Sequence, residues 1–277
     1  MAARGRSAPL AFVLLLASAA ETLAAGGPVV LTGATGRTGV LLYKQLLSKN
    51  VSTRALVRSA AKAKKVLGCQ RCDESEGIFV GDVTKPETLI APMRGAGSLM
   101  MATSAVATCD PFPKCHFPPG GEPVNVDWIG AKATLEAFAL ATQGRGLGRV
   151  VLISTMGTTD PQGQSVFHDI SFYKLNFEAE LMASGLPFAI VKPCNLVNAA
   201  GWSQELLVGH DDDLKVPPQI VPRADVARIC VEMLQQPALA DGLRFDLCSK
   251  VGTPTPDADL PTVLRAARFP WDRRPAE

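Results

Sequence analysis

Eight residues, Thr32-Gly33-Ala34-Thr35-Gly36-Arg37-Thr38-Gly39, constrain what this chain can fold into more than any other segment. They lie between a short apolar run at 28–31 and a stretch at 38–47 in which Val40, Leu41, Tyr43 and Leu47 recur at helical spacing. Glycine lacks a Cβ, so a strand can turn tightly into a helix there and bring its backbone close to a ligand. The free N–H groups and the positive end of the helix then converge on one point, which suits the pyrophosphate of a dinucleotide. Three glycines alone are a weak signal, and the strand–turn–helix setting is what strengthens it.

The rest of the chain repeats that alternation. Strands are predicted at 53–57, 78–80, 98–102, 149–153, 188–191 and 244–247, with helices at 60–67, 86–93, 124–142, 171–184 and 225–235. Val124, Trp128, Ala131, Leu135 and Phe138 line one face of the long helix, and Phe172, Leu175, Ala179 and Met182 one face of the next. Alternating β and α elements predict an α/β chain with a Rossmann-type, doubly wound parallel sheet. The expectation is a single domain over 26–277 with loop insertions.

Composition excludes several classes. The 277 residues carry 28 Lys and Arg against 26 Asp and Glu, a net charge of +2. That supplies no basic field for nucleic acid, and an aromatic content of 6% provides few stacking platforms. Residues 1–25 have the layout of a targeting peptide: Arg4 and Arg6, then an apolar run at 10–20, then the small residues Thr22, Ala24 and Ala25. The run is about half of the ~20 residues a membrane span needs, so no stable span is expected. Both the secretory pathway and the plastid remain open as destinations.

Acid placement selects the coenzyme. An NAD site offers an Asp or Glu near the end of the second strand to hold the ribose 2′-hydroxyl. No acid occurs between Thr22 and Cys72, while Arg37, Arg54, Arg58, Lys62, Lys64 and Lys65 do. Arg58 follows the second strand directly, where a guanidinium can fork onto a 2′-phosphate. NADP is therefore expected, and Lys62, Lys64 and Lys65 read as a solvated helix face.

In order along the chain, TGATGRTG, ALVRS, GDVTKPETL, VDWIGAKATLEA, RVVLIS and YKLNFEAELMASGLPFAIVKP resemble the atypical, NmrA-like short-chain dehydrogenase/reductases. The resemblance covers about 29–197. It implies NADP lying across the strand ends, with Gly33, Thr35, Gly36, Arg37 and Gly39 at the phosphates and Arg58 at the 2′-phosphate. It further implies Asp82 and Val83 at the adenine, Thr103 and Ser104 at a ribose, Lys174 on the nicotinamide ribose and Pro193 beside the nicotinamide. Lys174 and Ser154 are the catalytic candidates it supplies.

The departures bear on chemistry. Most of the superfamily carries Tyr-x-x-x-Lys, with the Lys lowering the Tyr pKa for proton transfer. Here Ile170 stands four residues before Lys174. Tyr173 is adjacent to Lys174 and points about 100° away on a helix. Ser154 and Thr155 can serve only as hydrogen-bond donors, and His168 is an alternative acid. Glu178, one turn beyond Lys174, reads as a helix-surface ion-pair partner.

Of seven cysteines, Cys69-Gln-Arg-Cys72 and Cys109 with Cys115-His116 cluster in predicted loops. Their spacings match no usual zinc knuckle, so no metal is expected. In an oxidising compartment Cys109 and Cys115 can close a small loop. Cys194, Cys230 and Cys248 read as inert core residues, and Asp211–Asp213 as a solvated loop. Segments 105–123 and 195–218 should form a lid over the substrate. Two functions fit: an NADP-dependent oxidoreductase acting on a small carbonyl, quinone or alkene, or a non-catalytic NADP(H) sensor or scaffold. Assembly as a homodimer is compatible with both.

Overall fold

The computed structural model describes residues 26–111, 114–143, 148–160 and 168–269. The targeting segment read at 1–25 lies outside them. Strand β1 (Val29–Thr32) is buried along its whole length and feeds helix α1 (Arg37–Ser48) through the glycine turn. Strand β2 (Thr53–Val57), helix α2 (Ala60–Leu67) and strand β3 (Ile78–Val80) follow. Then come β4 (Ser98–Met101), α3 (Ala131–Thr142), β5 (Arg149–Ile153), α4 (His168–Ala183) and β6 (Phe188–Pro193). The chain ends with β7 (Asn195–Val197), β8 (Glu205–Gly209), β9 (Ile220–Pro222), α5 (Arg223–Gln235), β10 (Leu243–Lys250) and α6 (Leu260–Ala266).

Seven strands run parallel in the order β3-β2-β1-β4-β5-β6-β10. β8 adds antiparallel to β10, while β9 bridges β10 to β7. Alternation along β1 shows how the layers are filled. Val29 and Leu31 face a core with Leu42 and Leu46 of α1 and Val226 and Val231 of α5. Val30 faces the other side with Leu135 and Phe138 of α3 and Phe177 and Leu181 of α4. Each such side chain, fully buried, contributes about 1.5–3 kcal/mol. Both faces are covered, as a parallel sheet requires.

Three expectations are corrected. Segment 195–218 is not wholly a lid, because β7 and β8 extend the sheet there; the short hairpin of Thr108–Cys109 with Cys115–His116 lies in the other expected lid. The start of the long helix, Val124–Gly130, is π-helical, which turns Asp127 inward and leaves Val124 and Trp128 half-buried. On α4 the buried residues are Ser171, Lys174, Phe177, Glu178 and Leu181, whereas Phe172, Ala179 and Met182 are exposed. The helix turns its ion-pairing side inward, so apolar periodicity reads the wrong face. Among the described residues no helix is long and apolar enough to cross a membrane.

Candidate functional site

The glycine turn follows the C-terminal end of β1 and packs against the chain leaving β4. Gly33 has φ +68°, and a Cβ there would stand 2.6 Å from the Ala102 carbonyl oxygen at the end of β4. A Cβ on Gly39 would collide with the Gly33 carbonyl, so α1 approaches β1 only because that position is glycine. Gly36 caps α1 with no side-chain hydrogen bond, and the first turn holds no acid. The positive end of the helix is thus left to an anion. Thr35 is half-buried beside the exposed Gly36 and Arg37.

At the end of β2, Arg58 is exposed and makes no ion pair with a described residue. Ser59 caps α2 by accepting the Lys62 N–H at 3.2 Å, and Lys62, Lys64 and Lys65 are exposed as expected. Arg54 is not at this site: its guanidinium donates to the Pro92 carbonyl at 2.8 Å and packs over Phe79. After β3, Asp82 Oδ1 accepts from the backbone and hydroxyl of Thr84 at 3.0 and 2.9 Å. Val83 is buried and points to the centre.

A partly open cleft lies under the strand ends; Thr32, Val83, Thr103, Asp127 and Lys174 are among its lining residues. Thr103 Oγ1 is buried with no hydrogen-bond partner among the described residues, and Ser104 beside it is half-buried. Lys174 Nζ lies 3.0 Å from Asp127 Oδ1, and the Asp127 side chain is entirely buried. Asp127 Oδ2 accepts the Ala105 N–H at 2.9 Å, so one carboxylate ties α4 to the loop after β4. Ile170 offers no proton, and Tyr173 is half-buried with its ring edge-on to Phe172. His168 is exposed and pairs with its neighbour Asp169 at 2.6 Å.

Ser154 lies at the end of β5, but its hydroxyl donates a short hydrogen bond to Glu178 Oε1. Glu178 Oε2 accepts from Arg244 Nε at 2.8 Å. Glu178 is therefore not the surface partner of Lys174; it is buried and belongs to Arg244. Pro193 is buried at the end of β6. Next to it, Lys192 is fully buried, with Nζ 2.7 Å from Asp212 and 3.2 Å from Asp246. The expected solvated loop at Asp211–Asp213 thus contains the partner of a core lysine. Burial holds the Asp246 carboxyl above its ordinary value, and Lys192 only partly offsets that.

Sequence reading missed Asp127, Arg223 and Arg244, and gave Glu178 the wrong partner. Arg223 opens α5, is 6% exposed, and bonds Asn198 Oδ1 at 2.8 Å without an ion pair to a described residue. Burial pushes its guanidinium pKa down, and the charge of Arg37 adds to that. The signal was present in Asp127, a charge set among apolar residues in the first turn of the helix predicted at 124–142.

These features fit a dinucleotide: a glycine cradle that Cβ atoms would fill, an uncapped helix, guanidinium groups without carboxylate partners and an orphaned hydroxyl. The profile of the NAD(P)H-binding family matches residues 33–237. The chain belongs to that family. Within this NAD(P)H-binding family it falls among the atypical, NmrA-like short-chain dehydrogenase/reductases, which are oxidoreductases. An uncharacterized chloroplastic protein of Arabidopsis thaliana is 34% identical over 246 residues, covering 83% of this chain and 72% of that protein. Sanguinarine reductase of Eschscholzia californica is 32% identical over 265 residues, covering 83% of this chain and 92% of that protein. Among solved structures, a NAD-dependent epimerase/dehydratase-like protein of Bacillus halodurans superposes with a TM-score of 0.67 at 22% identity, covering 87% of this chain and 100% of that one. That last likeness concerns the fold alone.

Proposed function

We propose that this chain is an NADPH-dependent reductase of a small, strongly electrophilic compound: a carbonyl, a quinone or an activated alkene. The observation that supports it best is the cleft at the strand ends, lined by the orphaned Thr103 hydroxyl, the buried Lys174–Asp127 pair and Thr32 at the end of β1, one residue before the glycine turn. In this reading Gly33, Thr35, Gly36, Arg37 and Gly39 hold the diphosphate, and Arg58 takes the 2′-phosphate that distinguishes NADP from NAD. Asp82 and Val83 border the adenine. Thr103 and Ser104 reach a ribose, Lys174 the nicotinamide ribose hydroxyls, and Pro193 flanks the nicotinamide.

The coenzyme supplies the hydride. The chain's residues bind and orient, because Ile170 stands where the family carries its proton-transferring tyrosine and none of Ser154, Tyr173 and His168 is placed to replace it. The Ser154 proton is committed to Glu178, Tyr173 faces Phe172, and His168 is outside. A substrate that accommodates the added electron pair on its own oxygen and takes its proton from water suits that arrangement. The reductase name of the 32% identical relative supports turnover over a purely sensing role, and the chloroplastic relative supports a plastid over the secretory pathway. Residues 1–25 would then be the targeting peptide and 26–277 the working domain.

The test is NADPH oxidation by the purified 26–277 chain across a panel of quinones, enones and aldehydes. Turnover with quinones, without a solvent isotope effect on the hydride step, is the expected result. NADPH binding without oxidation of any panel member would favour the sensor reading and overturn this one.

A further inference from the structure

We propose that Cys69, Cys72 and Glu76 form a redox-gated site for a zinc-class divalent cation, available when the two cysteines are reduced. Their ligating atoms all lie within 4.8 Å of one another. The site is remote from the coenzyme chemistry and does not depend on the function proposed above.

The loop is built around Glu76 rather than around the sulfurs. α2 ends at Gly68, whose φ of +81° turns the chain, and Cys72 sits in the left-handed region at φ +57°. That turn puts both side chains on one side of the loop, with Cα atoms 5.1 Å apart and the sulfurs joined as a disulfide. Glu76 Oε2 accepts the N–H groups of Arg71 at 2.9 Å and Cys72 at 2.8 Å, while Oε1 takes only a long bond of 3.3 Å from Gln70. None of these bonds involves a sulfur, so the loop keeps its shape when the disulfide opens.

A phosphine reductant supplies two electrons and ends as its oxide, water giving the oxide its oxygen and the sulfurs their two protons, so the S–S bond breaks and two thiols are left. Both thiols then lose their protons as the cation binds, giving two thiolates and one carboxylate oxygen. Two thiolates on a tetrahedral zinc ion stand about 3.8 Å apart, given Zn–S bonds of about 2.3 Å. Reaching that separation from the disulfide is a matter of side-chain torsions. One carboxylate oxygen of Glu76 ligates, and backbone amide bonds to the carboxylate orient it, as ligating carboxylates are oriented. The fourth position belongs to water, so the ion is exchangeable. Soft sulfur donors favour zinc or cobalt over magnesium or calcium.

The experiment is a Co²⁺ titration of the whole chain after reduction with a phosphine, read by the thiolate-to-cobalt absorption band and by native mass spectrometry, with Zn²⁺ as competitor. One ion per chain is expected in the reduced protein and none in the oxidised protein. The Cys69→Ser/Cys72→Ser chain should lose the band, and Glu76→Gln should weaken binding at least tenfold. Reduction also frees Cys109, Cys115, Cys194 and Cys248, and a band that survives Cys69→Ser/Cys72→Ser would assign the ion to those and overturn the proposal. A reduced chain that shows no band would overturn it equally.

Discussion

Asp127 Oδ1 lies 3.0 Å from Lys174 Nζ in a setting where the carboxylate side chain is wholly buried and the lysine nearly so. Removing one member of such a pair leaves an uncompensated charge and costs about 3–5 kcal/mol. Asp127→Asn should therefore destabilise the chain by about 3 kcal/mol in urea unfolding. Lys174→Met alone should cost less, since the carboxylate keeps the Ala105 N–H. The double variant should recover much of the loss but bind NADPH at least tenfold more weakly than wild type. Additive single effects in that cycle would show that the pair is not coupled.

The three glycines of the turn should not respond alike. An alanine Cβ at Gly36 would stand 3.1 Å from the Gly33 carbonyl, a gap that a small shift relieves. At Gly33 the obstacle is backbone on a neighbouring strand together with a positive φ, and at Gly39 it is the turn itself. Gly36→Ala should therefore keep NADPH affinity within about tenfold, while Gly33→Ala and Gly39→Ala should abolish measurable binding with the sheet still folded by circular dichroism. Equal losses at all three positions would contradict the close approach of α1 to β1.

Most of the sheet was legible because its strands are short, mostly apolar runs that alternate with helical stretches. β2, β3 and β5 have the bounds predicted for them, 53–57, 78–80 and 149–153. The face of α4 was not legible, because Lys174 and Glu178 point inward to partners 47 and 66 residues away in sequence, Asp127 and Arg244. Periodicity treats a charge as a mark of solvent, and here the solvent is replaced by an ion pair. The same blindness hid Asp212, whose partner Lys192 lies within a strand. Cys194 and Cys248 lie in the core as read but are not inert hydrophobes, because the pairing of β6 with β10 brings them together as a disulfide. The glycine turn and Arg58 were visible because their signals are local in sequence. Arg223 was missed because it meets Arg37 only across two helices.

Arg58 and Arg223 should separate the two phosphate regions of the coenzyme. Arg58 is exposed after β2, whereas Arg223 is buried at the start of α5 within the field of Arg37 beside the turn. A charge-assisted hydrogen bond contributes about 1.5–3 kcal/mol, or at least tenfold in affinity. Arg58→Ala should weaken NADPH by about tenfold or more and leave NADH unchanged. Arg223→Gln should weaken NADPH and NADH by similar factors. Calorimetric titrations of both coenzymes against both variants decide this, and an NADPH-selective loss in Arg223→Gln would move that side chain to the 2′-phosphate.

Asp212 predicts a specific acid response. Burial works to raise its carboxyl, but hydrogen bonds from Lys192, Thr159 and Gly157 outweigh it, and the group stands below its ordinary value. A carboxyl with a lowered folded-state pKa stabilises above the unfolded value, about 3.9, and that stabilisation disappears as pH falls through the lower folded value. Asp212→Asn should thus be less stable than wild type by about 2 kcal/mol at neutral pH, the size of one hydrogen bond to a charged group. The gap should hold down to about pH 4 and close below it as wild-type Asp212 takes up its proton. Asp246 remains 3.2 Å from Lys192 in the variant, so the lysine is not left bare. Denaturant midpoints for the two chains between neutrality and acid provide the measurement, and a gap that persists unchanged in strong acid would assign the loss to packing instead of charge.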